Sequence, residues 1–387
     1  MPVAGSHWRV LLLLLCPLLL LVHLPPPAAA GAGSAPCTVR PGTIPLDTDG
    51  NPVHAHGAGV YTENGTLFLL GMSMKEAVPA DSAHPTKANE VYLSRSINLY
   101  STERSSGLCG WSFRGAVLNR STIEASMRPA LGVGMTARVE RPKLARAASG
   151  EYAIWVHVQS GSNSSYSNVA VATSPTLSGA PFRFQSNFFA NDLISKDSTV
   201  FTDVARDGRS YFVRDTAHQC DSISPFSPAG TGLGPLCGHT GPPSEPNVCH
   251  RAYNGPGTGT QSHPAWVCEG VCMFRDPVDH RLFMLGSHLS GWAANGAMLF
   301  VSSQQDVCGA NKTSWTYAGN PAVGPGNENT YGAQSTFVLP WNDTMMVVML
   351  DRWHNPNETL ADYVWLPLRR SHEDGSWTMR WVDSWSF

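Results

Sequence analysis

Charge is scarce in this chain. Only 14% of its 387 residues are Asp, Glu, Lys or Arg, and their formal sum is −3. With no basic patch and no run of like charges, nothing points to nucleic acid or to an acidic membrane surface as a partner. Amphipathic helical periodicity is nearly absent, whereas Gly (36) and Pro (29) are plentiful, which argues against a helical architecture. After the first ~30 residues no run is long and apolar enough to cross a bilayer as a helix. An acidic loop with EF-hand spacing is missing.

The opening segment is the exception. Arg9 precedes the apolar run Val10 to Val22, and Ala28-Ala29-Ala30 offers a small-residue cleavage site, the layout of a secretory signal peptide over residues 1–30. The run is shorter than the ~20 residues of a membrane span; an uncleaved anchor is the alternative. The mature chain is therefore expected to be soluble, secreted and monomeric. Without Cys16 it keeps eight cysteines: Cys37, Cys109, Cys220, Cys237, Cys249, Cys268, Cys272 and Cys308. In an exported chain these read as disulfides, with 105 connectivities open. Cys237-Gly-His239 and Cys249-His250 superficially suggest zinc, but the export context favours disulfides and no metal is assigned. Asn64, Asn119, Asn163, Asn311, Asn342 and Asn357 each head an Asn-x-Ser/Thr acceptor for N-glycosylation.

Five stretches share one grammar, in which a polar residue heads a strand that turns into a second apolar strand. They start at His56, Glu140, Asp197, Glu269 and Gln334, with turns at Asn64-Gly65, Ser149-Gly150, Asp207-Gly208, Asp276 to His280 and Asn342-Asp343. Such turn pairs between apolar runs are hairpin signals. Further strands at Glu90–Ser94, Ser167–Thr173, Ala297–Ser303 and Tyr363–Leu368, and edges at Trp111, Trp315 and Trp377, bring each unit to four. Radial repetition of this kind predicts an all-β fold, a five-bladed β-propeller over residues 37–387. Residues 217–263 break the rhythm, rich in Gly, Pro and Ser with three cysteines, and read as a disulfide-stapled loop insertion. The five heads should converge on one axis.

Several words along the chain carry a resemblance. They are Ala55-His56-Gly57-Ala58-Gly59-Val60, Gly71-Met72-Ser73, Ala137-Arg138-Val139-Glu140-Arg141-Pro142-Lys143, Asp197 with Phe201, and Glu269-Gly270-Val271-Cys272-Met273-Phe274. Ser290-Gly291-Trp292, Gln334-Ser335-Thr336-Phe337, Asp351-Arg352-Trp353 and Tyr363-Val364-Trp365-Leu366-Pro367-Leu368 complete the ordered set. In this order the chain resembles glycoside hydrolase family 43, and within it the exo-β-1,3-galactanase branch. The resemblance implies a pocket at one mouth of the channel, a β-1,3-galactan or proteoglycan glycan as substrate, and inversion at the sugar carbon. It implies no required cofactor, although calcium in the central channel is compatible with it. Inversion needs a protonated carboxyl on one side of the scissile bond and a water-activating group about 6.5–9.5 Å away.

Carried over residue by residue, Glu269 is the general acid, among largely apolar neighbours, and Asp197 tunes and orients it. Glu140 is a carboxylate that clamps sugar hydroxyls. Strand alternation sends Arg138 and Glu140 to one face and Arg141 to the other. Where family 43 usually carries an Asp base, this chain has His54-Ala55-His56. Gln334 matches the amide that positions water, and Glu140 is the other reading of the base. Trp292, Trp353, Trp155 and Tyr331 are the rings expected to stack on sugar, with His56 and His288 lining the channel. For each, plain packing, capping or ion pairing is the structural alternative. Rival functions are a family 43 arabinosidase or xylosidase, and a catalytically inactive glycan-binding propeller.

Overall fold

The structure, a computed structural model, describes residues 36–74, 94–131, 136–160, 166–216, 220–237, 268–288, 290–291, 293–309, 314–354 and 358–387. The leader and most of 217–263 lie outside them. Residues Cys37–Phe387 form one compact unit, and no helix among the described residues is long and apolar enough to cross a membrane.

The unit opens with β1 (Thr38–Val39) and a first antiparallel sheet of β2 (His56–Glu63), β3 (Thr66–Ser73), β4 (Ser96–Glu103) and β5 (Ser112–Asn119). Asn64 and Gly65 both take positive φ, 50° and 81°, as the tight turn between twisted strands requires. Helix α1 (Arg120–Leu131) follows. The second sheet is β6 (Ala137–Arg146), β7 (Tyr152–Ser160), β8 (Ser167–Ser174) and β9 (Arg183–Phe188). The third is β10 (Ser198–Thr202), β11 (Ser210–Thr216) and β12 (Cys220–Pro225). The fourth is β13 (Glu269–Arg275), β14 (Leu282–Ser287), β15 (Ala297–Ser302) and β16 (Trp315–Gly319). The fifth holds β17 (Ala322–Val323), β18 (Gln334–Asn342), β19 (Met345–Arg352), β20 (Asp362–Arg370) and β21 (Trp377–Arg380), with β17 parallel to β21. Finally β22 (Trp385–Ser386) returns to pair with β1, joining the two ends of the unit.

The first long strand of each sheet packs on the next around a closed ring: β2 on β6, β6 on β10, β10 on β13, β13 on β18, and β18 back on β2. This is the five-bladed propeller that the hairpins predict. Its apolar side chains fall into clusters that lie between blades. Leu67 and Leu69 pack toward Val347 and Met349 of the fifth blade, whereas Leu70 packs toward Ile154 and Val156 of the second. On β7, Trp155 faces Phe212 of the third blade in turn. Both faces of a strand are thus buried, and so the strands read as nearly continuous apolar runs.

Three expectations change. Among the described residues the third blade has three strands, not four, and the fifth has five. The strand expected at Glu90–Ser94 falls, apart from Ser94, outside the described residues; the first blade's third strand among them is Ser96–Glu103. Helix α1 was not legible in the periodicity; it buries Ile123 and Met127, one turn apart, beside β9. The cysteines are not all paired: Cys37–Cys109 and Cys237–Cys308 are bonded, but Cys268 and Cys272 are free and buried. Of the glycosylation acceptors, Asn64, Asn119 and Asn342 are exposed, and Asn163, Asn311 and Asn357 lie outside the described residues.

Candidate active site

The innermost strands do not run straight past their heads. From His56 to Gly59 the partner moves only from Met72 to Leu70, so three steps along β2 match two along β3. The same slip occurs from Glu140 to Lys143 against β7 and from Glu269 to Cys272 against β14. Each is a β-bulge, one extra residue that re-aims the side chains around it. The residue after each head takes positive φ: Gly57 at 62°, Arg141 at 53° and Gly270 at 61°. A Cβ on Gly270 would stand 2.6 Å from Ser335 O, so glycine is required there. Arg141 is the non-glycine of the three, held in a conformation that costs of order 1–3 kcal/mol.

The bulge overturns the alternation rule. Arg141 does not point away from Glu140; the extra residue brings it to the axis, 5% exposed. Its Nε lies 2.8 Å from Asp197 Oδ1, Nη2 donates to Gln334 Oε1 at 2.6 Å, and Nη1 donates to Ser335 O at 2.9 Å. Asp197 Oδ2 also accepts from the Gly270 N–H at 2.8 Å. Burial favours the neutral form of Asp197, but the Arg141 charge, His157 and the Gly270 N–H outweigh it and hold the carboxyl below its usual range. Gln334 further accepts from Trp353 Nε1 at 3.2 Å and donates from Nε2 to Ser287 Oγ at 3.0 Å. Its amide is therefore fixed at both ends, beside the strand that carries Glu269.

Glu140 faces His157, its cross-strand partner, with Oε2 3.2 Å from Nδ1 and oblique to the ideal hydrogen-bond line. Burial pushes the Glu140 carboxyl up, but the contact with His157 and its charge prevail and set it below the ordinary value. Glu140, Asp197, Glu269, Gln334, Arg138 and Trp353 all line one half-open cavity of about 260 Å³. Six of the ten residues named as catalytic or sugar-binding therefore meet in one place. Arg141, His157, Gln159 and Lys196 share the wall and were not anticipated. Two signals for them exist in the sequence. Pro142 removes a ladder donor inside an inner strand, which marks a bulge, and His157 interrupts the apolar run Tyr152–Val158.

Of the remaining four, Trp155, Tyr331 and His56 do not join them. Trp155 is fully buried between blades, its Nε1 donating to Gly230 O at 2.9 Å and its ring packed near Phe188, Phe212 and Phe226. Tyr331 is 8% exposed, its hydroxyl within hydrogen-bond reach of Val323 O at 3.0 Å and Met379 O at 2.9 Å and accepting from Val323 N at 3.1 Å. Both rings are packing. His56 is 1% exposed, stacked on Tyr363 at 4.6 Å with Nδ1 3.4 Å from Asp351 Oδ1, and supports the site from behind. Trp292 lies outside the described residues. His288 is tied through its backbone to Asn295.

Below the pocket the axis carries cations. Lys143 is 1% exposed and donates to Gly57 O at 2.8 Å; burial and the neighbouring Arg141 push its pKa down to about 7. A buried ammonium beside a guanidinium is a poor ligand set for calcium, which takes six to eight oxygens. Glu140, His157 and Asp197 do offer three ligand atoms within 4.8 Å of one another, but Arg141 already occupies the acceptor side of Asp197. The donors at hand do not fit a calcium ion.

The fold and pocket together define a five-bladed propeller with a carboxylate-rich cavity at one mouth. No protein-family model and no curated protein matches the sequence. Solved structures do match. One is an exo-β-1,3-galactanase from Phanerochaete chrysosporium with β-1,3-galactotriose, at TM-score 0.69 and 22% identity over 91% of this chain and 68% of that one. Another is a family 43 β-1,3-galactosidase with galactodeoxynojirimycin, at 0.69 and 21% over 90% and 100%. A third is an exo-β-1,3-galactanase from Clostridium thermocellum, at 0.66 and 24% over 90% and 66%. At this identity the likeness is one of fold.

Proposed function

We propose that this chain is a secreted, inverting glycoside hydrolase of the family 43 type that removes galactose units from the ends of β-1,3-linked galactan. One observation carries the reading: Glu140, Asp197, Glu269 and Gln334, the heads of four different blades, line a single pocket. The likeness of fold to β-1,3-galactanases supports it. Glu269 donates the proton to the leaving oxygen. Asp197, kept ionised by Arg141 and the Gly270 N–H, is the negative neighbour that orients it. Arg138 and Glu140 hold sugar hydroxyls, and the Trp353 ring supports the apolar face of the sugar. The attacking water is held by the Gln334 amide or deprotonated by Glu140, on the far side of the sugar from Glu269.

Incubation with β-1,3-galactan tests this. The wild type should release galactose whose first anomer, followed by proton NMR, is α, and Glu269→Gln should lose at least a thousandfold in rate, about 4 kcal/mol at 1.4 kcal/mol per tenfold. A wild type that binds galactan without cleaving it would make the chain a glycan-binding propeller. Release of arabinose or xylose from arabinan or xylan instead would move the substrate, and retention would remove the mechanism.

A further inference from the structure

Behind Glu140 runs a polar chain that the proposed reaction does not use. We infer that His157 is the positioning residue of this site, holding the Glu140 carboxylate charged and aimed into the pocket through a proton relay anchored on Ser167 and Ser195. The inference rests on the hydrolase reading for its catalytic consequence, but the relay itself is a property of the fold.

The proton positions follow from the partners. Ser167 Oγ donates its one hydrogen to Ser195 O at 2.6 Å, so toward His157 Nε2, 2.7 Å away, it can only accept. Nε2 therefore carries a proton. Nδ1 then faces Glu140 Oε2 at 3.2 Å. Two lone pairs at that distance repel, so a second proton lies between them, on one or the other. Glu140 sits below its ordinary value, so the carboxylate is the acceptor of this contact. Glu140 is the last regular partner of β7 before the bulge, and so His157 fixes the carboxylate where backbone regularity ends.

Arg138 on the same strand and the Asp197 carboxylate both act on Glu140, and Lys196 feels both carboxylates. A neutral sugar offers hydroxyl donors, which bond most strongly to an anionic acceptor. Glu140 serves as that acceptor in the orientation His157 gives it.

Three variants separate positioning from packing. His157→Leu removes a charge-assisted contact, worth roughly 10–100-fold in kcat/KM. His157→Asn keeps an N–H toward Glu140 and should recover most of that loss. If His157→Asn recovers nothing over His157→Leu, or if both variants lose activity only in step with their melting temperature, the relay is wrong. An arm without substrate stands apart from the hydrolase reading. In nitrogen-15 NMR of the wild type, the His157 imidazole should carry a proton on Nε2, and Glu140→Gln should shift the Nδ1 resonance. An unmoved resonance overturns the inference even in an active enzyme. A shifted resonance in a chain that cleaves no galactan keeps the pair and removes the reaction.

Discussion

Arg141 is the side chain whose loss should propagate furthest. Its guanidinium binds Asp197, Gln334 and Ser335 O at 2.8, 2.6 and 2.9 Å, joining the second, third and fifth blades. Arg141→Met leaves the Asp197 carboxylate buried with only the Gly270 N–H and the more distant His157 to compensate it. Breaking a buried ion pair from one side costs about 3–5 kcal/mol, and the positive φ is not relieved because methionine has a Cβ. Asp197, whose folded value is depressed, contributes stability that is present above its unfolded value and is lost as pH falls through the folded one. Without Arg141 that contribution disappears and the carboxyl rises. Urea unfolding at pH 7 should show the loss, and the acid limb of kcat/KM should move up. Asp197→Asn in the same background should restore part of the stability, a coupling of about 0.5–3 kcal/mol. A variant with wild-type unfolding midpoint and an unmoved acid limb, or strict additivity with Asp197→Asn, would refute the bridge.

Trp353→Ala should raise KM for galactan about tenfold or more while leaving the unfolding curve nearly unchanged, whereas Trp155→Ala should lose about 3–5 kcal/mol of stability with KM intact; the reverse pattern would exchange their roles. Gly270→Ala should destabilise the fold and depress kcat, because its Cβ would meet Ser335 O at 2.6 Å at a φ of 61° and disturb the N–H that serves Asp197; differential scanning calorimetry and kcat read the two effects. Lys143, at about 7 in the folded chain and ~10.4 unfolded, binds fewer protons folded than unfolded between those values. It therefore makes stability rise with pH there, and Lys143→Met should flatten the rise seen by urea unfolding from pH 7 to 8.5; an unchanged slope would count against a buried, displaced ammonium.

Much of the fold was legible because each blade repeats a local statement. Asn64-Gly65 needs both of its residues at positive φ, which only a short list of residue pairs accepts, and the turn formed as written. The polar heads were legible for a similar reason: a Glu or Gln opening a run of buried residues has to face a solvated channel or a partner. Other features depend on what comes from distant parts of the chain. Trp155 and Trp353 are the same residue type, yet one lies between blades against Phe212 and the other faces the pocket. Nothing local distinguishes them, because burial is decided by the neighbouring blade. Cys268 and Cys272 look like part of an even set, and only the fold shows them free and buried.

Arg141 is the instructive failure. Alternation is a rule about regular strands, and functional strands in this ring are irregular at the point where function requires it. A straight β6 would turn Glu140 to the axis and Arg141 into a blade interface, where a guanidinium would meet Ile154 and Val156 rather than carboxylates. One added residue lets two consecutive side chains face the pocket, so that the carboxylate held by His157 and the counter-charge of Asp197 come from adjacent positions. Gly57 and Gly270 make the same bend at heads where the following residue needs only a backbone N–H, and there a side chain would collide. Pro142 makes the bend durable at β6, since it has no N–H to contribute to a regular ladder. The Glu-Arg-Pro-Lys word is thus a structural instruction before it is a catalytic one: a carboxylate, the counter-ion of Asp197, a ladder break, and an ammonium that ties the bulge of β2 through Gly57 O.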